Sequence, residues 1–338
     1  MHRYIVAAII WVILTTGLAS AQGPIPRESG FSGYIEVLGA YISTDSQLNT
    51  DNENKITQSL DGPGERTGNL RALPLGLIGY TFAEQRTQVF LGALPENVSR
   101  GRFQVEVGAR HELADGTELR ASMVPWTPIE QETWEDPFVV GRGRERTDVS
   151  TLGAKFEARR IIDSPWTVKY DWLQNDVDAE RSGTFLLSQQ ARGLRADDLS
   201  TLDRDADRHR VSAEYAFKIT PKSRLTPIVE YTYADASGDA YSYQALSPKL
   251  SYIYFSGSLQ ASITASFESS WYDGTHPVFD ETREETQLGI FAILGYKNPF
   301  GFKDFRVDWF SGYFNNSANI DFYDSSSFVT AVGLGYVF

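Results

Sequence analysis

The sequence predicts an all-β protein: a transmembrane antiparallel up-and-down β-barrel of about 14 strands (range about 12–16), preceded by a cleaved signal peptide. Three observations carry this prediction. The N-terminus has an export signal, apolar and polar residues alternate with period two along most of the chain, and the last strand ends in an aromatic residue. No later stretch is apolar enough for a membrane-spanning helix, so a barrel is the form in which this chain can cross a bilayer.

The first 21 residues have the features of a secretory signal peptide. The unbroken apolar run Ile5–Leu14 is followed by Ala19-Ser20-Ala21, a small-residue cleavage site. The run is too short for a transmembrane helix, which needs about 20 residues. We expect residues 1–21 to be the signal peptide, residues 22–30 a periplasmic N-terminal segment and residues 31–338 the barrel.

The period-two alternation is clearest between Leu259 and Phe267. Every odd-numbered residue there is apolar and every residue between is polar, which is typical of a strand with one lipid face and one aqueous face. Segments of this kind are predicted at 31–46, 70–82, 87–97, 102–113, 117–126, 146–161, 166–178, 208–218, 223–235, 244–256, 258–271, 284–296, 303–314 and 327–338. Even-numbered segments end in short turns and odd-numbered ones mostly in longer polar loops, which is the pattern of periplasmic turns and outer loops.

The C-terminal segment carries aromatic residues at its last and third-from-last positions. Tyr336 and Phe338 resemble the terminal signature of outer-membrane barrels, which the barrel assembly machinery reads, and we expect them to be the assembly signal. Trp126, Trp166 and Trp271 lie near predicted strand ends, as in interfacial aromatic girdles. The expected location is therefore the outer membrane of a Gram-negative bacterium, with lipid and lipopolysaccharide as neighbours.

A family resemblance also runs along residues 25–338. It is carried by Ser29–Tyr34, Leu73–Gly76, Tyr80–Phe82, Arg86–Gly92, Glu112–Thr117, Asp136–Phe138, Asn298–Gly301 and Asn319–Asp324. On these segments the chain resembles an uncharacterised family of proteobacterial outer-membrane β-barrels, the domain of unknown function 2860 family. The resemblance implies the fold and the location and no activity.

Composition excludes several kinds of function. The net charge of −13 argues against a nucleic-acid partner, because phosphate binding needs basic clusters. The chain has no cysteine, and we expect no cofactor. The mature part has three histidines, His111, His209 and His276, and none lies in a nucleophile motif such as G-x-S-x-G. A hydrolase is therefore the least favoured interpretation, and the protein is expected not to be an enzyme.

Charged residues recur on the faces predicted to point into the lumen, since a charge facing lipid is costly. They are Glu106, Arg110, Glu118, Arg120, Lys155, Glu157, Arg159, Lys169, Asp171, Arg210, Glu214, Glu230, Arg306 and Asp308. In one interpretation they line a narrow channel for passive diffusion of small hydrophilic solutes. In the other they pair across strands and plug the barrel, with Arg110–Glu118 and Glu157–Lys169 as candidate pairs.

The predicted outer loops are acidic. Asp203, Asp205 and Asp207 have an alternate spacing that could hold a hard cation, but the glycine and distal glutamate of an EF-hand are missing. A solvated surface run is the favoured interpretation, and the three aspartates are a weak metal candidate. The alternative overall function is a structural or binding protein with a plugged lumen that acts through these loops.

Overall fold

The structure is a computed structural model that describes residues 25–94, 104–126 and 131–338. Within these ranges, no helix combines the length and the apolar character needed to cross a membrane. The regular elements of the described residues are almost all strands, together with one short α-helix, Thr184–Ser188, and several 3-10 turns.

Sixteen strand segments form one antiparallel sheet. They are β1 (Gly30–Thr44), β2 (Thr67–Phe82), β3 (Thr87–Ala93), β4 (Val105–Glu112), β5 (Glu118–Trp126), β6 (Gln131–Trp134), β7 (Arg146–Arg159), β8 (Trp166–Val177), β9 (Ala206–Tyr215), β10 (Phe217–Thr220), β11 (Ser223–Ala236), β12 (Tyr243–Ser256), β13 (Leu259–His276), β14 (Glu281–Lys297), β15 (Phe305–Ala318) and β16 (Ser325–Val337). β5 and β6 both pair with β7, and β9 and β10 both pair with β11. Each of these two pairs is therefore one interrupted strand, and the barrel has 14 strands.

The first and last strands close the sheet. β1 pairs with β16 from Tyr34 opposite Val337 to Thr44 opposite Ser327. Closure leaves no open edge, so backbone groups that would otherwise face lipid bond to a neighbouring strand. The predicted 14-stranded antiparallel barrel is confirmed.

The predicted strand positions hold for all fourteen strands, whereas several predicted loops were too long. The predicted 272–283 loop is a continued hairpin, because β13 runs to His276 and β14 begins at Glu281. Beyond the outward-facing Trp271, the outward positions carry Asp273 and Thr275, so apolar alternation no longer marks the strand. Likewise, β6 lies inside the predicted 127–145 loop. The residues between the predicted segments 87–97 and 102–113 lie outside the described residues.

Alternation separates the two faces of the barrel. On β13, Ile263, Phe267 and Trp271 are exposed on the outside, whereas the even-numbered residues face inward. Similar exposed aliphatic and aromatic residues occur on the other strands and form an apolar belt. Trp166 is likewise exposed near a strand end, as predicted for an aromatic girdle. The belt is the surface that a barrel presents to lipid.

Candidate functional site

The inward faces of β4, β5, β7, β8, β9, β11 and β12 carry ionised side chains, which we call the charged wall. Its members are Glu106, Arg110, Glu112, Glu118, Arg120, Lys155, Glu157, Arg159, Lys169, Asp171, Arg210, Glu214, Glu230 and Lys249. Twelve of the fourteen predicted lumen residues belong to it. The outward residues between them, such as Leu119 and Phe156, are exposed to the lipid side.

Both predicted cross-strand ion pairs form at the centre of the charged wall. Arg110 Nη1 lies 3.6 Å from Glu118 Oε1, and Lys169 Nζ lies 3.3 Å from Glu157 Oε1. Arg120 joins them, because its Nη1 is 3.1 Å from Glu157 Oε2 and its Nη2 is 3.9 Å from Glu118 Oε1. Opposite charges therefore alternate across four neighbouring strands, β4, β5, β7 and β8.

The pairing continues around the barrel towards β12. Lys169 Nζ also lies 3.0 Å from Glu214 Oε1. Further along, Arg210 Nε is 3.3 Å from Glu230 Oε1, which accepts a 2.8 Å hydrogen bond from Lys249 Nζ. Arg210 also approaches Asp171, at 3.7 Å.

At the opposite end of the wall, the Lys155 ammonium donates to Glu106 Oε1 at 2.7 Å, and the Ser122 hydroxyl donates to Glu106 Oε2 at 2.6 Å. Glu106 is only 1% exposed and Glu118 only 3%. Buried charges remain ionised in a protein when they are paired and hydrogen-bonded. The charged wall thus neutralises much of its own charge.

The remaining two predicted lumen residues, Arg306 and Asp308, lie on β15 on the other side of the barrel. Arg306 donates to both carboxylate oxygens of the fully buried Asp308. Glu36 on β1 packs beside them, and a Cβ at Gly333 would lie 2.2 Å from its Oε1. Glu36 is not among the predicted lumen residues, although its inward position in the first alternating segment marks it as one.

Apolar side chains cluster on the inward faces of β1–β3 and β14–β16, and we call this cluster the apolar wall. Its buried members are Tyr34, Leu38, Ala40, Leu73, Leu75, Leu77, Phe90, Ala93, Leu94, Phe291, Phe310 and Ala331. It meets the charged wall where the Arg120 guanidinium lies 5.8 Å from the centre of the Phe90 ring. The lumen therefore has two chemically different sides, which the sequence analysis did not predict.

Between the two walls, β12 and β13 present a strip of neutral polar side chains. Ser251, Ser262, Thr264 and Ser266 point inward and are half-buried, so they remain partly accessible to water. The Thr264 hydroxyl donates to the Ser251 hydroxyl at 3.0 Å. This hydroxyl strip is uncharged along those four residues, and the next inward residue of β13 is Glu268, which accepts a hydrogen bond from the Ser247 hydroxyl.

Six outer loops pack together at the end of the barrel opposite the termini, and we call this assembly the cap. The loops span 45–66, 135–145, 178–205, 237–242, 277–280 and 319–324. Their buried apolar residues are Leu60, Phe138, Leu186, Leu194, Leu202, Ala240, Val278, Ile320, Phe322 and Tyr323. The predicted loops were described as polar and acidic, so this apolar core is a correction. Single apolar residues scattered among polar ones have no period that sequence reasoning can recognise.

Contacts in the cap join opposite sides of the barrel. The 45–66 loop follows β1, whereas the 178–205 loop follows β8, about half way round the closed sheet. They meet where Arg192 Nη2 lies 2.6 Å from Asp61 Oδ1. The Phe138 and Phe322 rings, also from distant loops, are 5.3 Å apart between centroids. The cap therefore extends across the outer mouth.

A buried arginine fastens two loops of the cap. Arg144 is fully buried, and its guanidinium donates to the carbonyl oxygens of Gln47, Asn54 and Pro137. It also lies 4.5 Å from the centre of the Trp134 ring. Burial lowers the pKa of Arg144 to about 10, so it stays charged at neutral pH.

The three aspartates of the weak metal candidate are engaged separately. Asp203 Oδ1 accepts from the Asp205 amide, Asp205 Oδ1 from the Val177 amide, and Asp207 Oδ1 from the Trp172 indole. Within the described ranges, no group of three or more His, Cys, Asp or Glu residues is arranged to hold a metal ion.

The three histidines lie on separate elements. His111 contacts the Thr87 hydroxyl at 2.8 Å, and His209 contacts the Tyr170 hydroxyl at 2.8 Å, both at exposed sites. His276 ends β13 inside the cap, rather than lying in a loop as predicted, and is fully buried.

The predicted assembly residues lie at the periplasmic end of β16. Phe338 exchanges two backbone hydrogen bonds with Gly33, of 2.9 and 3.0 Å, and its ring stacks on that of Tyr336. A Cβ at Gly33 would lie 3.0 Å from Phe338 Cζ and 2.1 Å from the Leu77 carbonyl oxygen. Glycine at this position therefore allows the last residue to pack against β1.

Comparison with known proteins identifies a family. The chain belongs to a family of proteins of unknown function, DUF2860, which matches residues 30–337. No curated protein matches the chain in sequence. The closed barrel with its apolar belt is that of a Gram-negative outer-membrane β-barrel protein.

Solved outer-membrane structures align along most of the chain. The outer membrane channel DcaP of Acinetobacter baumannii is 11% identical with a TM-score of 0.43, over 92% of this chain and 97% of that one. OccAB1 of the same species is 14% identical with a TM-score of 0.39, over 94% and 98%. OpdQ of Pseudomonas aeruginosa is 10% identical with a TM-score of 0.35, over 91% and 98%. At these values none of them transfers a function to this chain.

Proposed function

We propose that this protein is a narrow channel for passive diffusion of small hydrophilic solutes, with its outer mouth closed by the cap in the conformation described. The observation that carries the proposal is the half-buried hydroxyl strip on β12 and β13. Hydroxyl groups both donate and accept hydrogen bonds, so they can replace water around a polar solute. A barrel of this strand number lies between those filled by side chains and those with a wide aqueous channel.

The two walls restrict that path. The apolar wall fills its side with packed side chains, and the charged wall holds its ions in pairs. A solute that follows the hydroxyl strip meets few uncompensated charges, so we propose weak ion selectivity. Opening requires the cap to move, because its loops meet across the mouth.

Single-channel recording in planar bilayers tests this proposal. We expect the refolded wild-type protein to conduct in rare openings, and the Phe138→Ala/Phe322→Ala variant, which weakens the cap core, to conduct in long-lived steps. Adding Thr264→Trp to that variant should reduce the step size, because Thr264 faces the lumen. The matched control is Ile263→Trp, which faces lipid and should leave the step unchanged. Silence of the cap variant, with heat-modifiable mobility showing a closed barrel, would contradict the channel.

A second candidate is a plugged structural or binding protein that acts through its outer loops. The buried core of the cap favours it, because loops that only connect strands do not need one. In that case the cap variant stays silent in bilayers.

A hydrolase is a third and weaker candidate. We expect the wild-type protein and the His111→Ala and His209→Ala variants to release no fatty acid from phospholipid. Release that depends on either histidine would place the hydrolase above the other two candidates.

Export and assembly complete the proposal. Residues 1–24 lie outside the described residues, and we propose that residues 1–21 are removed so that the mature chain begins at Gln22, which N-terminal mass spectrometry checks. The barrel assembly machinery, outer-membrane lipid and lipopolysaccharide are the proposed partners. Deleting Phe338 should slow insertion into the outer membrane, as measured by pulse-labelling and heat-modifiable mobility.

A further inference from the structure

His276 lies where four loops of the cap meet. Its ring centroid is 4.8 Å from that of Phe279, 5.3 Å from Phe138, and 5.8 Å from both Tyr241 and Tyr323. These four neighbours come from the 277–280, 135–145, 237–242 and 319–324 loops. The imidazole is fully buried, beyond the lipid-facing stretch of β13 that ends at Trp271.

Both ring nitrogens of His276 have partners that fit the neutral imidazole. The Val278 amide donates to Nδ1 at 3.3 Å, so Nδ1 carries no proton. Nε2 lies 2.9 Å from the Tyr323 hydroxyl, so this hydrogen-bond pattern assigns the proton to Nε2. A second proton would have to bind Nδ1, where it would face the Val278 N–H instead of an acceptor.

The charged groups around the His276 ring do not compensate a positive charge on that ring. Arg283 lies 3.9 Å from the Tyr323 ring centre and is paired with Glu285 at 3.1 Å. On the other loops, the cations and anions are already matched as Arg204 with Glu180, Arg192 with Asp61, and Asp136 with three backbone amides. In the hairpin of His276 itself, Asp280 and Glu281 are both exposed to solvent, and Glu281 accepts a hydrogen bond from the Asn319 side chain.

We propose that His276 is an acid-sensitive latch: the neutral imidazole holds the four loops together, and its protonation opens the cap. The opening itself does not depend on the proposed channel function; its consequence for solute passage does. The mechanism needs no rearrangement of the barrel, because His276 and its partners all lie outside the lipid-facing part of the strands.

The direction of the pH dependence follows from burial. Burial lowers the pKa of His276 from 6.5 to about 3 in the closed cap. A group with a lowered pKa binds fewer protons in the closed state than in the open state, so closure is fully stabilised above about pH 6.5 and weakens as pH falls from there towards 3. If opening exposes the imidazole completely, the open-to-closed ratio at pH 5 is roughly 30-fold higher than at about pH 7.5.

Cysteine labelling measures this opening directly, because the chain contains no cysteine. Ala240→Cys places a thiol in the buried core of the cap, and Ser200→Cys places one at an exposed site in the cap. The ratio of their maleimide labelling rates in proteoliposomes cancels the effect of pH on the reagent. We expect this ratio to rise at least tenfold between pH 7.5 and pH 5.0, to stay flat in His276→Asn, and to rise as in the wild type in His209→Asn.

If the labelling ratio does not change between pH 7.5 and pH 5.0 in the protein that retains His276, the latch is contradicted. This outcome does not depend on how a substitution at His276 affects folding. An equal rise in His276→Asn overturns it as well. Bilayer recording at the two pH values separates the latch from the channel. Acid-dependent labelling without conductance supports the latch and contradicts the channel. Conductance with pH-independent labelling supports the channel and contradicts the latch.

Discussion

The charged wall and the apolar wall fill two sides of one barrel with different chemistry. On the charged wall, inward residues such as Arg120 and Glu157 are held by ion pairs between strands. On the apolar wall, residues such as Leu38 and Phe310 are buried to a similar degree by packing against each other. Inward positions of a membrane barrel are thus not uniformly polar. A charged side chain is buried there when neighbouring strands supply an opposite charge, and an apolar side chain is buried when other apolar side chains pack against it.

The two walls differ in how they tolerate loss of one member. An ion-pair network that loses one charge leaves the opposite charge buried without compensation. An apolar cluster that loses methyl groups leaves a cavity, whose cost depends on how far the neighbours relax. Substitutions on the two walls therefore measure whether ion pairs or apolar packing contribute more to the free energy of unfolding of the barrel.

The largest effect is expected at Arg120. Arg120→Ala removes the cation shared by Glu118 and Glu157, which are both buried. We expect the free energy of unfolding to fall by about 3–5 kcal/mol, because the buried network is left with one uncompensated negative charge even though Glu118 keeps Arg110 and Glu157 keeps Lys169. Urea unfolding in lipid vesicles measures this, with the exposed Arg224→Ala as control. Equal midpoints for the two variants would show that water or a new partner compensates the glutamates.

The next largest effect is expected at Leu38, which is fully buried in the apolar wall. Leu38→Ala should lower the free energy of unfolding by about 3 kcal/mol through lost burial and a residual cavity. Val37 on the same strand faces lipid and is 61% exposed, so Val37→Ala is the matched control and should cost about 1 kcal/mol or less. If both variants lose the same stability, the apolar wall is not a packed core.

A smaller effect is expected at Ser122, whose hydroxyl donates to Glu106 at 2.6 Å. Ser122→Ala removes one hydrogen bond to a charged group but leaves the Lys155–Glu106 pair intact. We expect a loss of about 1.5 kcal/mol in the same unfolding assay. The double variant with Lys155→Met separates the two bonds to Glu106, and strictly additive losses would argue against a coupled network.

The smallest effect is expected at the outer rim. Arg66 pairs with Asp45 at an exposed position. Arg66→Ala should change the free energy of unfolding by less than about 1 kcal/mol, because water and salt screen surface pairs. The difference should shrink further in 0.5 M salt, and a loss as large as that at Arg120 would mean that the rim supports the cap.

Alternation with period two along the chain predicts the fold, because it marks each strand that has one lipid face. It also predicts which residues point inward, and hence the pairs Arg110–Glu118 and Glu157–Lys169. Both follow from local spacing, since neighbouring strands joined by a short turn have a fixed register.

The filling of the lumen and the closure of its mouth depend on contacts that form only in the folded barrel. The apolar wall exists because β14–β16 lie next to β1–β3 once the barrel closes. Glu36 marks the inward face of β1, but no pattern in the sequence shows that Leu38 on that face joins a cluster with Phe310 of β15. The cap brings His276, Phe138 and Tyr323 together from loops far apart in the chain. Such contacts depend on how irregular segments fold over the ring of strands, and no period in the sequence records that.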